Sequence, residues 1–230
     1  MNLLEDWLRT GFSREHPDLV IDEQADARAR VAAASAQPVP SPAASGRLEL
    51  LQECAVEVEA CVKCGLCAGR TRTVSGEGAL DTPVLFVGEG PGAEEDRTGR
   101  PFVGASGQYL DTWLPPIGLR REQCYIANVV KCRPPQNREP HPDEIAACLP
   151  YLERQITIIR PRVICCLGRI AAQTLLGTAA SLGSLRGKIH DRAGIPVVVT
   201  YHPSAVLRDK GGLRKPVWED LKVLKKLVSA

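Results

Sequence analysis

Five of the nine cysteines are spaced like metal ligands. The stretch CVKCGLC, residues 61–67, contains three of them, each separated from the next by two residues, and Cys132 and Cys148 follow further along the chain. A bacterial ferredoxin-type run begins in the same way, but it would place its next cysteine at position 71, which is Thr71 here. A Cys-x2-Cys pair with two remote cysteines is typical of an all-thiolate site for an iron–sulfur cluster or for zinc. Composition leaves both metals as alternatives.

The other four cysteines have the surroundings of buried apolar residues. Cys124, Cys165 and Cys166 lie in apolar runs typical of β-strands, and Cys54 falls on the apolar face of a predicted helix. Because free cysteine behaves as a small hydrophobic side chain in a core, we expect these four to be buried thiols.

Two polar residues stand where predicted strands end. Asn128 lies at the end of one strand and His202 follows another. A side-chain amide offers a donor and an acceptor to the edge of a base, although an asparagine that caps a turn is the alternative. A histidine positioned by the proline that follows it has the chemistry of an electrophile or a base, and a structural histidine is again the alternative.

The glycine-rich stretch GEGPGAEEDRTGRPFVG, residues 88–104, matches a dinucleotide-binding turn only loosely. Gly88, Gly90 and Ala93 fit the Gly-x-Gly-x-x-Gly/Ala pattern. Pro91, however, has no N–H for a phosphate, and AEEDR brings three carboxylates to the helix start that would receive it. The sequence therefore argues against a nucleotide cofactor.

Short apolar runs alternate with helix-period segments after residue 46. Leu51, Cys54 and Val58 share one helical face, a longer helix opens near Pro142, and the last helical pattern runs from Pro216. The runs predicted as strands are VLFVG (84–88), CYIANVV (124–130), RVICCLG (162–168) and PVVVTY (196–201). Strands that are apolar on both faces and alternate with helices predict a three-layer α-β-α sandwich with a central, mainly parallel four-stranded sheet. Ligands bind such sheets outside the carboxyl ends of the strands.

Residues 1–46 have the composition of an extension. They begin with the apolar spacing of a short amphipathic helix, and residues 31–46, VAAASAQPVPSPAASG, have the composition of a linker. The spacing rests on Leu3, Leu4, Trp7 and Leu8. We therefore predict a tethered tail, 1–46, with docking on the body as the alternative, and a domain over 47–230. The formal net charge is −3 for residues 1–46 and +5 for residues 47–230, which gives +2 for the chain. A mildly basic domain is compatible with a polyanionic partner.

The N-terminus, MNLLEDWLRTGF, lacks the basic and apolar regions of a secretory signal. No segment approaches the roughly 20 apolar residues of a membrane helix. We expect a cytoplasmic protein without membrane contact. In that reducing compartment, cysteines are expected to be metal ligands or buried thiols and not disulfides.

Four motifs, in this order, resemble the family 4 uracil-DNA glycosylases, the bacterial and archaeal members of their superfamily that carry a four-iron cluster. The motifs are CVKCGLCAGRTRTV, VGEGPGAEEDRTGRPFVGASGQYL, IANVVKCRPPQNREP and TYHPSAVLR. The resemblance spans roughly residues 50–228. It implies a DNA repair hydrolase that flips uracil out of single- or double-stranded DNA and hydrolyses its N-glycosidic bond, leaving an abasic site.

The resemblance also implies the cofactor and its ligands. Cys61, Cys64, Cys132 and Cys148 match the positions that bind the 4Fe-4S cluster in this family. Cys67 is then a spare thiol beside the cluster. The expected role of the cluster is structural, because it would pin the N-terminal segment and the proline-rich loop near DNA.

The same resemblance assigns a uracil pocket. The loop containing Gly90 would face the target nucleotide, and Phe102 would stack on the flipped uracil. Asn128 would hydrogen-bond to the Watson–Crick edge of the base. His202 would donate to a uracil oxygen as negative charge develops on the leaving base.

The group that activates water is less directly implied. Some relatives have Asp or Asn where this chain has Gly90, so the nearby carboxylates Glu89 and Glu95 are the candidates. We prefer Glu95; the alternative is that both carboxylates only hold the loop.

DNA contacts are expected from two loops. In HPSAVLR, Val206 or Leu207 would fill the space that uracil vacates, and Arg208 would contact phosphate. In SLRGKIH, Arg186 and Lys188 are further phosphate candidates. We expect a monomer. The N-terminal extension is a candidate for binding a protein partner.

Two rival functions remain at this point. One is a sibling glycosylase that traps uracil-DNA covalently through a histidine, although PPQNREPHPDE lacks the basic insertion ending in histidine that such relatives carry. The other is a non-catalytic DNA-binding module that bears a cluster or zinc.

Overall fold

The computed structural model describes residues 42–229. The predicted helix around Leu3–Leu8 and most of the predicted linker lie outside these residues. The first helix, α1 (Pro42–Glu59), begins inside the segment predicted as linker, since proline suits a first helical position. From Arg47 onward the described residues form one compact unit. The domain boundary at residue 46 stays a prediction.

The sheet has six strands in the order β1-β3-β2-β4-β6-β5. Its centre is four parallel strands, and the two edge strands pair antiparallel. The strands are β1 (Glu77–Gly78), β2 (Val84–Gly88), β3 (Tyr125–Asn128), β4 (Val163–Leu167), β5 (Ile189–Arg192) and β6 (Ile195–Thr200). The predicted four-stranded parallel core is confirmed. The two edge strands were not predicted, because β1 has only two residues and β5 has no buried position that would give an apolar run.

Helices cover both faces of the sheet. They are α2 (Ala93–Thr98), α3 (Ala105–Asp111), α4 (Pro142–Ile159), α5 (Arg169–Leu176), α6 (Leu182–Leu185), α7 (Pro203–Arg208) and α8 (Arg214–Ser229), with short 3-10 turns between some of them. Side chains from α1, α4 and α5 pack with Leu85 and Val87 of β2 in the main core. Helix α8 contacts β4 and β6. The three predicted layers are therefore present.

Strand register aligns the ends of the parallel strands. Gly88 of β2 is paired with Asn128 of β3, and Leu167 of β4 is paired with Thr200 of β6. The Gly168 N–H donates to the Thr200 carbonyl at 2.9 Å, which holds the loops after β4 and β6 together. Residues that follow these four strands consequently meet at one edge of the sheet. Across residues 42–229, none of the helices has the length and apolar composition needed to span a membrane.

Candidate active site and metal centre

A cleft with a volume of about 520 Å³ opens at the carboxyl ends of the parallel strands. Its walls come from the loops after β2, β3, β4 and β6. The predicted residues in its lining are Glu89, Gly90, Glu95, Phe102, Asn128, His202 and Arg208. The structure therefore brings together every residue that the sequence predicted for base binding and catalysis.

Gly88 allows two of these side chains to converge. A Cβ at this position would lie 2.4 Å from Asn128 Oδ1 and 2.5 Å from the Phe102 ring. Only a residue without a side chain leaves room for both groups at the end of β2. Phe102 also lies 5.7 Å from His202, measured between ring centroids.

The backbone of Phe102 is held in an unusual conformation. Its φ of +51° lies in the left-handed region, which L-residues rarely occupy without surrounding restraint. Arg121 supplies that restraint, because its guanidinium donates to the carbonyls of Phe102 at 3.0 Å and Pro101 at 2.6 Å. Ion pairs with Glu77 and Asp111 fix the guanidinium in turn. Sequence reasoning missed Arg121, since its partners are distant in the chain.

Asn128 is buried with unused hydrogen-bonding capacity. The residue is 1% exposed, and its Oδ1 accepts no hydrogen bond within the described part of the chain. Buried polar atoms are almost always paired, so an unpaired one that borders a cleft indicates a ligand that completes it.

The imidazole of His202 is arranged as a neutral donor. Its Nδ1 accepts from the backbone N–H of Ser204 at 3.2 Å and lies 2.8 Å from the Ser204 hydroxyl, as the cap of α7. Because Nδ1 accepts the backbone hydrogen bond, the ring proton belongs on Nε2. Burial, reinforced by the nearby charge of Arg208, lowers the pKa of His202 to about 4. At neutral pH the ring is uncharged.

The two candidate carboxylates have different environments. Glu95 accepts three backbone hydrogen bonds, from Gly92 at 3.1 Å and from Val103 and Gly104 at 2.8 Å each. These bonds make Glu95 a brace between the loop after β2 and the segment next to Phe102. Burial raises the pKa of Glu89, and the negative charge of Glu139 adds to this effect. The choice between Glu95, which we preferred, and Glu89 as the water-activating group stays a prediction here.

The predicted DNA-binding residues are not equally available. Val206 is 2% exposed and packs in the interior, whereas the neighbouring Leu207 is 46% exposed. Arg208 is exposed on the rim of the cleft. Of the two wedge candidates, only Leu207 has a surface that could enter a base stack.

The guanidinium of Arg186, another predicted phosphate contact, has partners within the fold. Its guanidinium binds Asp220 at 2.7 Å and the Pro216 carbonyl, and it lies 4.1 Å from the centre of the Tyr201 ring. These contacts occupy the group that would bind phosphate, so Arg186 ties α8 to the sheet. Lys188 is exposed and stays a candidate.

A second cavity is lined by five cysteines. Cys61 and Cys64 follow α1, Cys132 lies in the loop after β3, and Cys148 lies on α4. Cys67 is the fifth. No group of three or more His, Cys, Asp or Glu side chains within the described ranges is arranged to hold a single metal ion.

The chemistry of this cavity fits a cluster bound by thiolates. Its lining contains Lys63, Arg70 and Lys131 but no carboxylate or histidine. Arg70 donates to Cys132 Sγ at 3.4 Å and to the Cys61 carbonyl at 2.7 Å, thereby joining the two halves of the predicted ligand set. Positive charge and N–H donors next to sulfur stabilise thiolates and the anionic clusters that they bind.

Comparison with known proteins agrees with these features. The model of the Uracil DNA glycosylase superfamily matches residues 75–223. A type-4 uracil-DNA glycosylase of Thermotoga maritima is 48% identical over 79% of this chain and 96% of that protein. Another, from Pyrobaculum aerophilum, is 48% identical over 71% of this chain and 87% of that protein.

A type-5 uracil-DNA glycosylase of Pyrobaculum aerophilum is similar at a lower level, 34% identical over 62% of this chain and 70% of that protein. Identity to the type-4 enzymes is thus higher and extends over more of the chain. The family expected from the four motifs is confirmed: this chain belongs to the uracil DNA glycosylase superfamily and, within it, to the type-4 uracil-DNA glycosylases.

Proposed function

We propose that this protein is a DNA repair enzyme that removes uracil from DNA by hydrolysing its N-glycosidic bond. The observation that carries this conclusion is the buried Asn128 amide, whose Oδ1 is unpaired beside the Phe102 ring. Its relatives of 48% identity are named as uracil-DNA glycosylases.

Base recognition follows from the groups that meet at Gly88. The Phe102 ring provides a face on which a flipped base stacks. Asn128 Oδ1 accepts from the N3–H of uracil, and its amide NH₂ donates to the O4 atom. Cytosine presents an acceptor at N3 and a donor at N4, so this orientation of the amide disfavours it.

His202 stabilises the departing base. Its Nε2–H donates to a uracil oxygen, on which negative charge grows as the glycosidic bond breaks. A neutral imidazole is suited to this role because its proton stays on Nε2 throughout, held there by the Ser204 N–H at Nδ1. Loss of one such donor typically lowers the rate about 10²–10³-fold.

Glu89 orients the attacking water, and Glu95 holds the loop. A half-buried carboxylate at the cleft has one face for solvent and a raised pKa, as expected of a group that accepts hydrogen bonds from a nucleophilic water. Glu95, by contrast, uses both oxygens on backbone amides.

The resident cofactor is a 4Fe-4S cluster bound by Cys61, Cys64, Cys132 and Cys148. When bound, it supplies cross-links between three chain segments and takes no part in hydrolysis. Cys67 lies beside it as a spare thiol. Arg70 orients Cys132 and balances the negative charge of the site.

The substrate is uracil in single- and double-stranded DNA. Leu207 fills the space left by the flipped base, and Arg208 and Lys188 contact phosphates. The enzyme acts as a monomer in the cytoplasm, and its N-terminal extension is available to bind a protein partner.

Uracil release from oligonucleotides tests this function. Wild-type protein should leave alkali-labile abasic sites, and Asn128→Ala and His202→Ala should each lower the rate by two orders of magnitude or more at unchanged iron content. An inactive wild type with a full complement of iron and sulfide would refute the enzyme. A covalent adduct that survives SDS would instead indicate the DNA-trapping relatives.

A further inference from the structure

Lys131 is a lysine buried between the two sites. The residue is 1% exposed, in a class of side chain that is almost never fully buried unless its charge is satisfied. Its Nζ donates to the Asn128 carbonyl at 2.9 Å and to Gln155 Oε1 at 2.7 Å. Both acceptors are neutral, so the ammonium acts here as a hydrogen-bond donor to oriented dipoles.

These hydrogen bonds join three elements of the fold. Asn128 ends β3, Gln155 lies within α4, and the Gln155 amide donates onward to the Ser75 carbonyl at 2.8 Å. The segment before β1 is held a second time, because the Val74 N–H donates to the Lys131 carbonyl at 2.8 Å. The amino group of Lys131 therefore lies at the centre of a buried polar network behind Asn128.

The main chain of Lys131 belongs to the cysteine cavity. Its N–H donates to Cys148 Sγ at 3.2 Å, and the next residue is Cys132. Lys131 lines the cysteine cavity, and Asn128, which its Nζ binds, lines the cleft. A single residue thus contacts one thiol with its backbone and the uracil-recognising residue with its side chain.

We propose that Lys131 is a positioning residue that fixes Asn128 for uracil recognition and ties it to Cys148 of the cysteine site. The proposal rests on the proposed function. Asn128 Oδ1 has no hydrogen-bond partner that would fix the side chain. The position of the side chain therefore depends on the position of the Asn128 backbone. Lys131 Nζ supplies that restraint at the carbonyl.

The test uses Lys131→Met in the full-length, iron-loaded protein, which keeps an unbranched stem and removes the ammonium. The inhibition constant of free uracil should rise and kcat should fall, each about 10–100-fold, because a small misplacement of a binding group has effects of this size. KM for uracil-containing DNA should change less than about threefold. An inhibition constant equal to that of the wild type would overturn the proposal.

Lys222→Met is the control, since Lys222 lies on α8 away from both sites, with its amino group paired to Glu219 at 2.6 Å. It should leave the uracil inhibition constant unchanged; an equal rise in both variants would overturn the proposal. Iron and acid-labile sulfide per chain are measured in parallel. Lys131→Met could lose iron while the protein that keeps iron binds uracil as tightly as the wild type. This result would show that Lys131 acts only at the cysteines, and it would also overturn the proposal.

A second variant keeps the test decisive if Lys131→Met does not fold. Gln155→Met removes the second acceptor that holds Nζ in line with the Asn128 carbonyl, so uracil inhibition should weaken by about 3–10-fold. Unchanged inhibition in this variant would then overturn the proposal. A wild type that releases no uracil would refute the proposed function itself, whereas an active wild type with unaffected variants refutes only the role of Lys131.

Discussion

The rings of Phe102 and His202 lie 5.7 Å apart between centroids, with their planes inclined by 35°. Phe102 lies between α2 and α3, and His202 lies in the loop after β6, so this contact spans the cleft at the sheet edge. The Phe102 ring, which is proposed to stack on uracil, thus lies next to the His202 imidazole, which is proposed to donate a hydrogen bond to the departing uracil. The contact depends on Gly88, where the Phe102 ring and Asn128 also meet.

Gly88→Ala should therefore disable the pocket. The added methyl group would overlap Asn128 Oδ1 and the Phe102 ring, and relief of this overlap requires movement of both. We expect at least a 100-fold loss of kcat/KM for uracil release and a fall of about 1–3 kcal/mol in the free energy of unfolding. Oligonucleotide cleavage and urea denaturation measure the two effects.

Gly183→Ala is the control for this substitution. No heavy atom lies within 4 Å of a Cβ at this position in α6, so activity should stay at the wild-type level. Wild-type activity in Gly88→Ala would mean that the base binds away from this point.

Glu89→Gln and Glu95→Gln should lower activity for different reasons. Glu89→Gln should lower kcat by about 10²-fold or more and leave stability near the wild-type value, because it removes the group that accepts a proton from water. In the wild type, activity should fall as pH falls through the raised pKa of Glu89, since only the ionised carboxylate accepts; this fall should disappear in the variant.

Glu95→Gln should instead reduce stability by about 1–3 kcal/mol, as one backbone N–H loses its acceptor. Its activity should fall because the Phe102 segment shifts, but the acidic part of its pH–rate profile should keep the wild-type shape. The reverse pattern in the two variants would return the catalytic role to Glu95.

These carboxylates illustrate what sequence could and could not predict. The four central strands were found because each is a short apolar run buried on both faces, and Asn128 and His202 were found because they end or follow such runs. The role of Glu95 depends on amides up to nine residues away, and that of Arg121 on four partners across the fold. Such tertiary hydrogen bonds leave no periodic pattern in the sequence.

The surroundings of Val206 and Arg186 are likewise set by contacts across the fold that sequence does not reveal. Sequence gives their order and type but not which side of a short helix faces the interior, nor that Asp220 of α8 reaches Arg186. A six-residue helix is too short for apolar periodicity to decide this.

The cysteine assignment predicts different iron contents for two serine variants. Cys132→Ser should lose iron and acid-labile sulfide because it removes a cluster ligand, whereas Cys67→Ser should keep both within about 20% of the wild type. Iron analysis and the visible absorption band near roughly 400 nm measure the difference. Equal loss in the two variants would contradict the ligand set, and a colourless protein with stoichiometric zinc would contradict the cluster.

Leu207→Ala and Val206→Ala should separate DNA insertion from folding. The exposed Leu207 side chain should matter for uracil in duplex DNA, where a vacated stack must be filled, and we expect about a 10-fold loss there with little change on single strands. Val206→Ala should act through stability, lowering it by about 2 kcal/mol because it removes buried methyl groups. Equal losses of Leu207→Ala on duplex and single strands would argue against a wedge.

His202 should make the protein less stable as the solution becomes acidic. Its pKa is about 4 when folded and about 6.5 in an unfolded chain, so between these values the unfolded state binds the extra proton. Stability should therefore fall as pH decreases from about 6.5 to 4, by on the order of 3 kcal/mol, and show no further loss from this group below pH 4. Glu89, with a raised pKa, contributes in the opposite direction.

Urea denaturation of wild type and His202→Gln at each pH isolates the histidine, because Glu89 and the other titrating groups are present in both proteins. The difference in the free energy of unfolding between the two should shrink by about 3 kcal/mol across this interval. An unchanged difference would mean that His202 titrates normally, and the Ser204 N–H then could not hold the neutral tautomer that donates from Nε2 to the departing uracil.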